Sequence, residues 1–377
     1  MAGIYVHIPF CKQKCIYCGF FSIASPLKTQ EILDNIIIEA YLRQNYCDNE
    51  IIETIYFGGG TPSILSIQQI TKILQNLKKI FSISKNAELT IEANPEDITY
   101  EKVKQWQEIG FNRVSIGIQS FDDNILKQLN RRHNSIMAKK AIENVFKIGL
   151  LNVSADIMFG MPYYSDETLV NSLNVLIDYK VPHISTYALT IEQNTALDLM
   201  IKKMKMPYPD EEQIVKQFLI IIDIMSKANY INYEISNYAK EGFFSIHNSN
   251  YWKNKQYLGL GPSAHSYNIN SRQWNVANID IYIKSIQNKV IPCEIEILTE
   301  TQKLNEYIMT SLRTIWGLNT LFVKENYGDD AYQNIIKLAQ PFLEKKLMIM
   351  NDNVLLLSDN GKLLADKITA DLFFMDK

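Results

Sequence analysis

Residues 7–18 read His-Ile-Pro-Phe-Cys-Lys-Gln-Lys-Cys-Ile-Tyr-Cys and place Cys11, Cys15 and Cys18 in one short loop after the first predicted strand. Thiolates are the ligands that iron–sulfur clusters prefer, and three of them can hold three corners of a four-iron cluster. The fourth iron would need a ligand from outside the chain. The spacing therefore predicts a [4Fe–4S] cluster with one open iron. A zinc site completed by His7 or His265, or inert buried thiols, are the alternatives.

Strands and helices alternate after this loop. The segments predicted as strands are 4–8, 54–57, 89–93, 113–118, 153–159 and 184–189. Helical stretches between them begin at N-cap residue types, which are Ser66, Thr99, Ser165 and Asp210. This alternation predicts an α/β fold with a parallel sheet. We expect a partial (β/α)6 TIM-like barrel, with an open doubly wound sheet as the alternative.

Nearly every predicted strand ends in a polar or glycine-rich stretch. These stretches lie at 58–62 (Gly-Gly-Gly-Thr-Pro), 92–95, 119–120, 156 with 160–162, and 187–188. Because the carboxyl ends of parallel strands meet at one face of a barrel, the stretches should form a single rim. Active sites of (β/α) barrels lie at this rim.

The composition is that of a globular protein. The 377 residues are 47% hydrophobic and carry a formal net charge of −3, without the basic surplus of nucleic-acid-binding proteins. The longest apolar run, 218–222, is too short to cross a bilayer, and the N-terminus does not resemble a signal peptide. Three clustered and two isolated cysteines do not form a disulfide framework. We therefore expect a cytoplasmic protein that does not bind nucleic acid.

The character of the sequence changes twice. An aromatic, Asn-rich stretch at 247–252 and the run 259–265 predict loops and an edge strand that close the barrel. After residue 299, helical stretches followed by a hairpin at 347–357 predict a small winged-helix-like domain. We expect three parts: a barrel over 1–240, a barrel-closing extension over 241–298 and a C-terminal domain over 299–377.

The cysteine pattern CX3CX2C after a first strand, with Gly-Gly-Gly-Thr-Pro after the second, resembles the radical S-adenosylmethionine (SAM) superfamily. The resemblance implies a [4Fe–4S] cluster whose open iron is chelated by SAM, and a 5′-deoxyadenosyl radical if SAM is cleaved. It also implies SAM-binding residues: Tyr5, Tyr17, Gly59, Gly60, Thr61, Glu92, Gln119, Arg131 and Asp156. Taken singly, such residues are ordinarily turn, capping, core or surface residues, and Arg132 competes with Arg131.

Further motifs make the chain similar to the oxygen-independent coproporphyrinogen III oxidase group, among them Asp-Ile-Met-Phe-Gly-Met-Pro at 156–162 and Gly-Pro-Ser-Ala-His-Ser-Tyr at 261–267. The oxidases carry CX3CX2CXC, whereas Gly19 and Phe20 follow the third cysteine here. The chain therefore resembles the sister branch of haem chaperones, whose His-Asn-x-x-Tyr-Trp mark stands at 247–252. His247 offers an imidazole for haem iron, and Tyr251 and Trp252 offer rings for the porphyrin. An aromatic loop with a structural histidine is the plain alternative.

The resemblance implies a chaperone that binds the cluster, SAM and haem. It would receive an electron from a low-potential donor and hand haem to recipient haem proteins at the membrane. A homodimer and transient membrane contact are further expectations. The enzymatic alternative is radical conversion of coproporphyrinogen III to protoporphyrinogen IX, for which no catalytic residue stands out. Cys47 and Cys293 have no predicted role.

Overall fold

Parallel strands form the centre of the fold in the computed structural model, which describes residues 1–25 and 27–375. Consecutive strands pair with each other, and helices connect them. The strands are β1 (Ala2–Ile8), β2 (Ile52–Gly59), β3 (Ile83–Ala93), β4 (Arg113–Gln119), β5 (Val153–Phe159) and β6 (His183–Ala188). The helices are α1 (Thr29–Leu42), α2 (Ile67–Ile80), α3 (Tyr100–Ile109), α4 (Asp123–Gln128), α5 (Ser135–Lys147), α6 (Asp166–Asp178), α7 (Ala196–Lys202) and α8 (Glu211–Lys227). The predicted α/β alternation is confirmed.

Local sequence determines where these helices begin and end. Ser66 accepts a hydrogen bond from the Gln69 backbone N–H, and the Gln69 side chain accepts one from the Ser66 N–H, which makes a capping box for α2. Thr99 caps α3, and Gly110 ends it in the left-handed conformation with φ 111°. The apolar face of α3 then packs on the sheet, and Trp106 is completely buried.

The segment after α8 lengthens the sheet at both edges. β7 (Ile231–Glu234) and β8 (Asn237–Ala239) join β6, and the other edge receives β9 (Tyr257–Leu260), β10 (His265–Tyr267), β11 (Ser271–Asn275) and β12 (Cys293–Ile297). β9 pairs with β1, so this part extends the sheet at its β1 edge, whereas we expected it to close the barrel. In the sequence, α9 (Ile246–Trp252) lies between β8 and β9, and α10 (Ile279–Gln287) lies between β11 and β12. The prediction of a loop at 247–252 is wrong, because Ser245 caps a helix there.

The C-terminal part has its own apolar core, which includes Ile308, Ile335 and Leu355. Its helices are α11 (Glu300–Leu312), α12 (Thr320–Tyr327), α13 (Asp329–Glu344), α14 (Asp359–Lys362) and α15 (Ala365–Asp371). A small antiparallel sheet joins β13 (Leu318–Asn319), β14 (Met348–Asn351) and β15 (Val354–Leu357). Helices with a small hairpin agree with the winged-helix-like prediction. The three-part division of the chain stays a prediction.

The core of the larger part lies between the central strands and their helices. Ile4, Val6 and Ile8 on β1 and Ile55 and Phe57 on β2 are completely buried. Burial of this kind is typical of parallel strands covered by helices. No helix in residues 1–25 and 27–375 is long and apolar enough to span a bilayer.

Candidate functional site

A cavity of about 700 Å³ includes the carboxyl ends of the central strands and extends to residues at their amino ends, such as Arg113, Ser154 and His183. It brings together the three cysteines and most of the residues predicted to hold SAM. The predicted residues that line it are Cys11, Cys15, Tyr17, Cys18, Gly59, Gly60, Thr61, Glu92, Gln119, Arg131 and Asp156. The strand ends therefore meet in one concave surface. Tyr5, His247, Tyr251 and Trp252 lie outside its lining.

The cysteine loop is closed at its base and held by a neighbouring loop. The Cys11 N–H donates to the Ile23 carbonyl (3.0 Å), and the Ile23 N–H donates to the Pro9 carbonyl (2.9 Å). The Asn130 side chain donates to the Lys14 carbonyl (2.9 Å). The three thiols are free and partly exposed. The loop thus presents its sulfur atoms on a fixed backbone.

Polar side chains surround these thiols. Thr61 Oγ1 donates to Cys11 Sγ at 3.3 Å. The Arg131 guanidinium donates to Cys15 Sγ at 3.4 Å. Burial raises the pKa of the Cys18 thiol, and the other two sulfurs add to the rise. Two of the three sulfurs therefore accept a hydrogen bond from a neighbouring polar side chain.

The glycine turn at 58–61 packs its backbone against the cysteine loop. The Thr61 N–H donates to the Phe10 carbonyl at 2.7 Å. A Cβ on Gly60 would lie 2.6 Å from the Phe10 carbonyl oxygen, and Gly59 has φ 104°. Both positions therefore require glycine for the fold itself, besides any close approach of a ligand.

Glu92 and Asp156 place two carboxyl groups in the cavity wall. Burial raises the pKa of Glu92 to about 7, although the Tyr56 hydroxyl donates to its carboxylate at 2.8 Å. Burial likewise raises the pKa of Asp156 to about 6. Carboxyl groups with a pKa near neutrality inside a cavity are typical of functional sites. When ionised, each can accept hydrogen bonds from an amine or hydroxyl group.

Arg131 links the cysteine loop to β3 and β4. Its guanidinium donates to Asn94 Oδ1 (2.7 Å) and to the Gly117 carbonyl. Its Nε is buried and has no partner among the described residues. A buried donor without an acceptor costs about 1–3 kcal/mol, which is a reason to expect a ligand there. Arg132, its competitor in the sequence, is exposed and lies 3.8 Å from Glu96 outside the cavity.

Gln119 and two tyrosines complete the predicted SAM set. Gln119 ends β4 in the left-handed conformation (φ 70°), which is uncommon for a residue with a side chain. Tyr17 lines the cavity, and burial raises the pKa of its hydroxyl far above the usual range. Tyr5 shares a hydrogen bond with His7 Nδ1 (3.2 Å), and its ring stacks on Tyr56 with centroids 6.1 Å apart. Tyr5 therefore supports the wall from behind.

His247 is buried at the start of α9, and protein groups occupy both of its ring nitrogens. Nδ1 lies 2.7 Å from Thr54 Oγ1, and Nε2 lies 2.8 Å from the Tyr251 hydroxyl. Burial lowers the pKa of the imidazole to about 3, so the ring is neutral. A haem iron needs a free ring nitrogen, and His247 offers none in this conformation. Trp252, at the other end of the helix, lines a second cavity.

His7 and His265 do not complete a metal site with the cysteines. His7 Nε2 is hydrogen-bonded to the Phe21 carbonyl (2.9 Å), and His265 stacks on Trp274 with centroids 6.3 Å apart. In the part of the chain that the structure describes, no three His, Cys, Asp or Glu side chains are placed to hold a single metal ion. The zinc alternative therefore gains no support, whereas the thiolates of a four-iron cluster bind separate irons.

Comparison with known proteins identifies the family. Residues 5–176 match the Radical SAM superfamily. The chain is 33% identical to the heme chaperone HemW of Bacillus subtilis strain 168, over 98% of both chains. The chain belongs to the HemW family. It is also 35% identical to HemW of Buchnera aphidicola subsp. Acyrthosiphon pisum, with 92% of this chain and 89% of the relative covered.

A solved structure supports the fold of this HemW-family protein. Coproporphyrinogen III oxidase (HemN) from Escherichia coli, a radical SAM enzyme, superposes with a TM-score of 0.86 and 20% sequence identity. The match covers 99% of this chain and 90% of that chain. At this identity the likeness establishes the fold alone.

Membership of the radical SAM superfamily implies a [4Fe–4S] cluster and SAM in the HemW family, and the residues present fit both groups. Three free thiols share one loop at the cavity wall. Buried polar atoms without partners in the described chain line the same cavity: Arg131 Nε, Thr90 Oγ1 and His183 Nδ1. Such atoms are typical of a site that a polar ligand completes.

The sequence did not single out several residues of this HemW-family cavity. Asn94 follows β3 in the recognisable run Glu-Ala-Asn-Pro, yet its contact with Arg131 joins two distant segments. Arg113 is buried beside Glu88 at 3.5 Å, and His183 is bonded to the Tyr233 hydroxyl at 2.7 Å. Each of these pairs depends on strand packing, which periodicity does not reveal.

Proposed function

We propose that this HemW-family protein is a haem chaperone, which binds a [4Fe–4S] cluster, SAM and haem and delivers haem to membrane haem proteins. The end-to-end similarity to the B. subtilis heme chaperone, 33% identity over 98% of both chains, carries the proposal. The His-Asn-x-x-Tyr-Trp mark at 247–252 and the absence of a fourth cysteine at Phe20 support it.

The first cavity is the proposed site for the cluster and SAM. When bound there, they supply an electron and a cleavable sulfonium. Cys11, Cys15 and Cys18 hold the cluster, and the glycine turn with Thr61 lets the methionyl part approach the backbone. Ionised Glu92 and Asp156 accept hydrogen bonds from the amine and the ribose hydroxyls, and the Gln119 amide can accept or donate one. Arg131 binds the SAM carboxylate, and Tyr17 and Tyr5 pack the wall.

Haem is the cargo in this proposal. His247, Tyr251 and Trp252 belong to the haem-handling part, because they form the mark shared with the haem-chaperone branch. We propose recipient haem proteins at the membrane, a low-potential electron donor and a homodimer as the partners. The proposed parts remain the barrel 1–240, the extension 241–298 and the C-terminal domain 299–377.

The second candidate is coproporphyrinogen III dehydrogenation. It is favoured by the fold shared with the E. coli oxidase over 99% of this chain. Against it, the oxidase pattern needs a cysteine where this chain has Phe20, whose side chain is 69% exposed at the cavity mouth.

Two assays on anaerobically purified protein separate the candidates. Titration with haem, followed by mixing with an apo-form of a haem protein, should show uptake and transfer. Incubation of the reduced protein with SAM and coproporphyrinogen III should yield no protoporphyrinogen. Protoporphyrinogen formation at a catalytic rate, or a failure to take up haem, would reject the chaperone proposal.

A further inference from the structure

A second cavity of about 500 Å³ lies between α9, β10 and the C-terminal helices α11 and α12. Its size falls in the range of small-molecule sites, roughly 300–1,000 Å³. Aromatic residues are frequent in its wall: Trp252, Tyr267, Tyr307, Trp316, Phe322 and Tyr327. It shares no lining residue with the first cavity among the residues described.

The rings come from both parts of the fold. Tyr307 and Phe322 of the C-terminal part pack with centroids 4.4 Å apart, and Tyr327 lies 6.5 Å from Phe322. Trp252 and Tyr267 come from the sheet side. Phe322 is 37% exposed, so this aromatic surface is only partly covered by the protein. An open cavity with flat apolar walls fits a planar apolar ligand.

The second cavity also has a positively charged side chain in its wall. Lys253 lines it, with its ammonium group 3.9 Å from the Trp316 ring centroid, and no carboxylate in the described chain pairs with it. Two neighbouring cations differ from it, because Lys303 has a carboxylate partner in Glu300 (2.8 Å) and Arg313 has one in Asp366. An ammonium group that contacts an aromatic ring but has no carboxylate partner fits a ligand with an acidic edge beside a flat apolar body.

We infer that the second cavity is the haem site, with the macrocycle against the aromatic walls and a propionate on Lys253. This inference rests on the proposed haem-chaperone function. Among the side chains that commonly bind haem iron, no histidine, cysteine or methionine lines the cavity in the part of the chain described, so the proposal assigns the iron to a tyrosine oxygen. Tyr267 and Tyr327 are the lining tyrosines whose hydroxyls have no hydrogen-bond partner among the described residues, whereas Tyr307 accepts from the Asn319 N–H (3.2 Å).

His247 is a positioning residue in this arrangement. Its two hydrogen bonds join Thr54 on β2 to Tyr251, one turn further along α9. They fix the helix and thereby hold Trp252, at its end, in the wall of the second cavity. Substitution of His247 would then weaken haem binding indirectly, without the loss of an iron ligand.

Haem titration of the full-length variants by absorbance tests the site. Trp252→Ala and Lys253→Ala should each weaken binding roughly tenfold, as expected for an aromatic anchor or a charged contact in a ligand site. The matched controls are Trp274→Ala and Lys284→Ala, which alter residues outside both cavities and should bind like the unsubstituted protein. Lys253 is exposed, so its variant keeps the test valid if Trp252→Ala does not fold.

The outcomes distinguish the site from the function. If the unsubstituted protein takes up haem but both cavity variants bind like their controls, the site is rejected and the chaperone proposal stands. If the unsubstituted protein takes up no haem, both are rejected. His247→Gln, which keeps a hydrogen-bonding side chain, should retain the haem spectrum. A folded His247→Gln protein with an altered iron-ligand spectrum would make His247 the ligand and overturn the inference.

Discussion

Replacement of Glu88 by alanine should destabilise the protein severely, because this carboxylate anchors α9. Glu88 is 4% exposed on β3 and accepts hydrogen bonds from the Ile246 and His247 N–H groups at 3.1 and 2.9 Å. It also lies 3.5 Å from Arg113, which is 1% exposed. Removal of one partner of a buried ion pair costs about 3–5 kcal/mol, since the other charge stays buried.

The hydrogen bonds to α9 belong to the same network and are not added separately. We therefore expect Glu88→Ala to lower the free energy of unfolding by about 3–5 kcal/mol. Glu88→Gln keeps an acceptor for α9 but loses the charge. Its free energy of unfolding should lie between those of Glu88→Ala and the unsubstituted protein. Urea unfolding followed by tryptophan fluorescence measures the change, with haem affinity as a second readout for the position of Trp252.

Glu108 provides the matched control. It forms an exposed pair with Lys104 at 3.9 Å, so Glu108→Ala should change stability by no more than about 0.5 kcal/mol. A loss of less than about 1 kcal/mol in Glu88→Ala would refute the argument; it would mean that the hydrogen bonds of Arg113 to Asn152, Ser154 and the Phe243 carbonyl are enough to stabilise its buried charge.

Three further predictions concern the first cavity. Alanine at any one of the three CX3CX2C cysteines should remove most of the iron from anaerobically purified protein, whereas Cys293→Ala should retain it, as iron and sulfide analysis would show. Because the folded-state pKa of Glu92 is raised to about 7, the folded state binds its proton more tightly; the stability gained from this group is present at low pH and is lost as the pH rises through about 7. Urea titrations at about pH 5 and about pH 8 should therefore show a smaller fall in stability for Glu92→Gln than for the unsubstituted protein. Gly60→Ala should lower both iron content and melting temperature, because the new Cβ would lie 2.6 Å from a carbonyl oxygen. Gly149→Ala, where nothing lies within 4 Å of a Cβ, should retain the iron.

The alternation of parallel strands and helices could be predicted from the sequence because its signals are local. The capping box at Ser66 and Gln69 and the left-handed Gly110 mark helix ends within a few residues. The edge strands could not be predicted in the same way, because β9 pairs with β1 across more than two hundred residues of chain. Helix α9 was missed for a related reason. Seven residues give too little periodicity, and the Glu88 carboxylate from β3 satisfies its first N–H groups.

For the candidate site too, the features with local sequence signals could be predicted and those formed by distant segments could not. The CX3CX2C spacing and the residues after each strand indicated where the first cavity lies, because parallel strand ends meet at one rim. The sequence predicted Arg131 with Arg132 as its competitor, and the burial of Arg131 in the structure separates the two. The second cavity combines Trp252 with Trp316 and Phe322, which come from two segments more than sixty residues apart in the sequence. A local sequence pattern does not show that these residues line the same cavity.

The His-Asn-x-x-Tyr-Trp motif makes sense as two helical pairs of spacing four. His247 and Tyr251 lie one turn apart and bond to each other at 2.8 Å, so this pair fastens α9 to the sheet. Asn248 and Trp252 form the other pair; Asn248 lines the first cavity and Trp252 lines the second. One short helix therefore reaches both cavities while its buried face is fixed. A change in the first pair should be read out as lost stability, and a change at Asn248 or Trp252 as altered ligand binding in an otherwise stable protein.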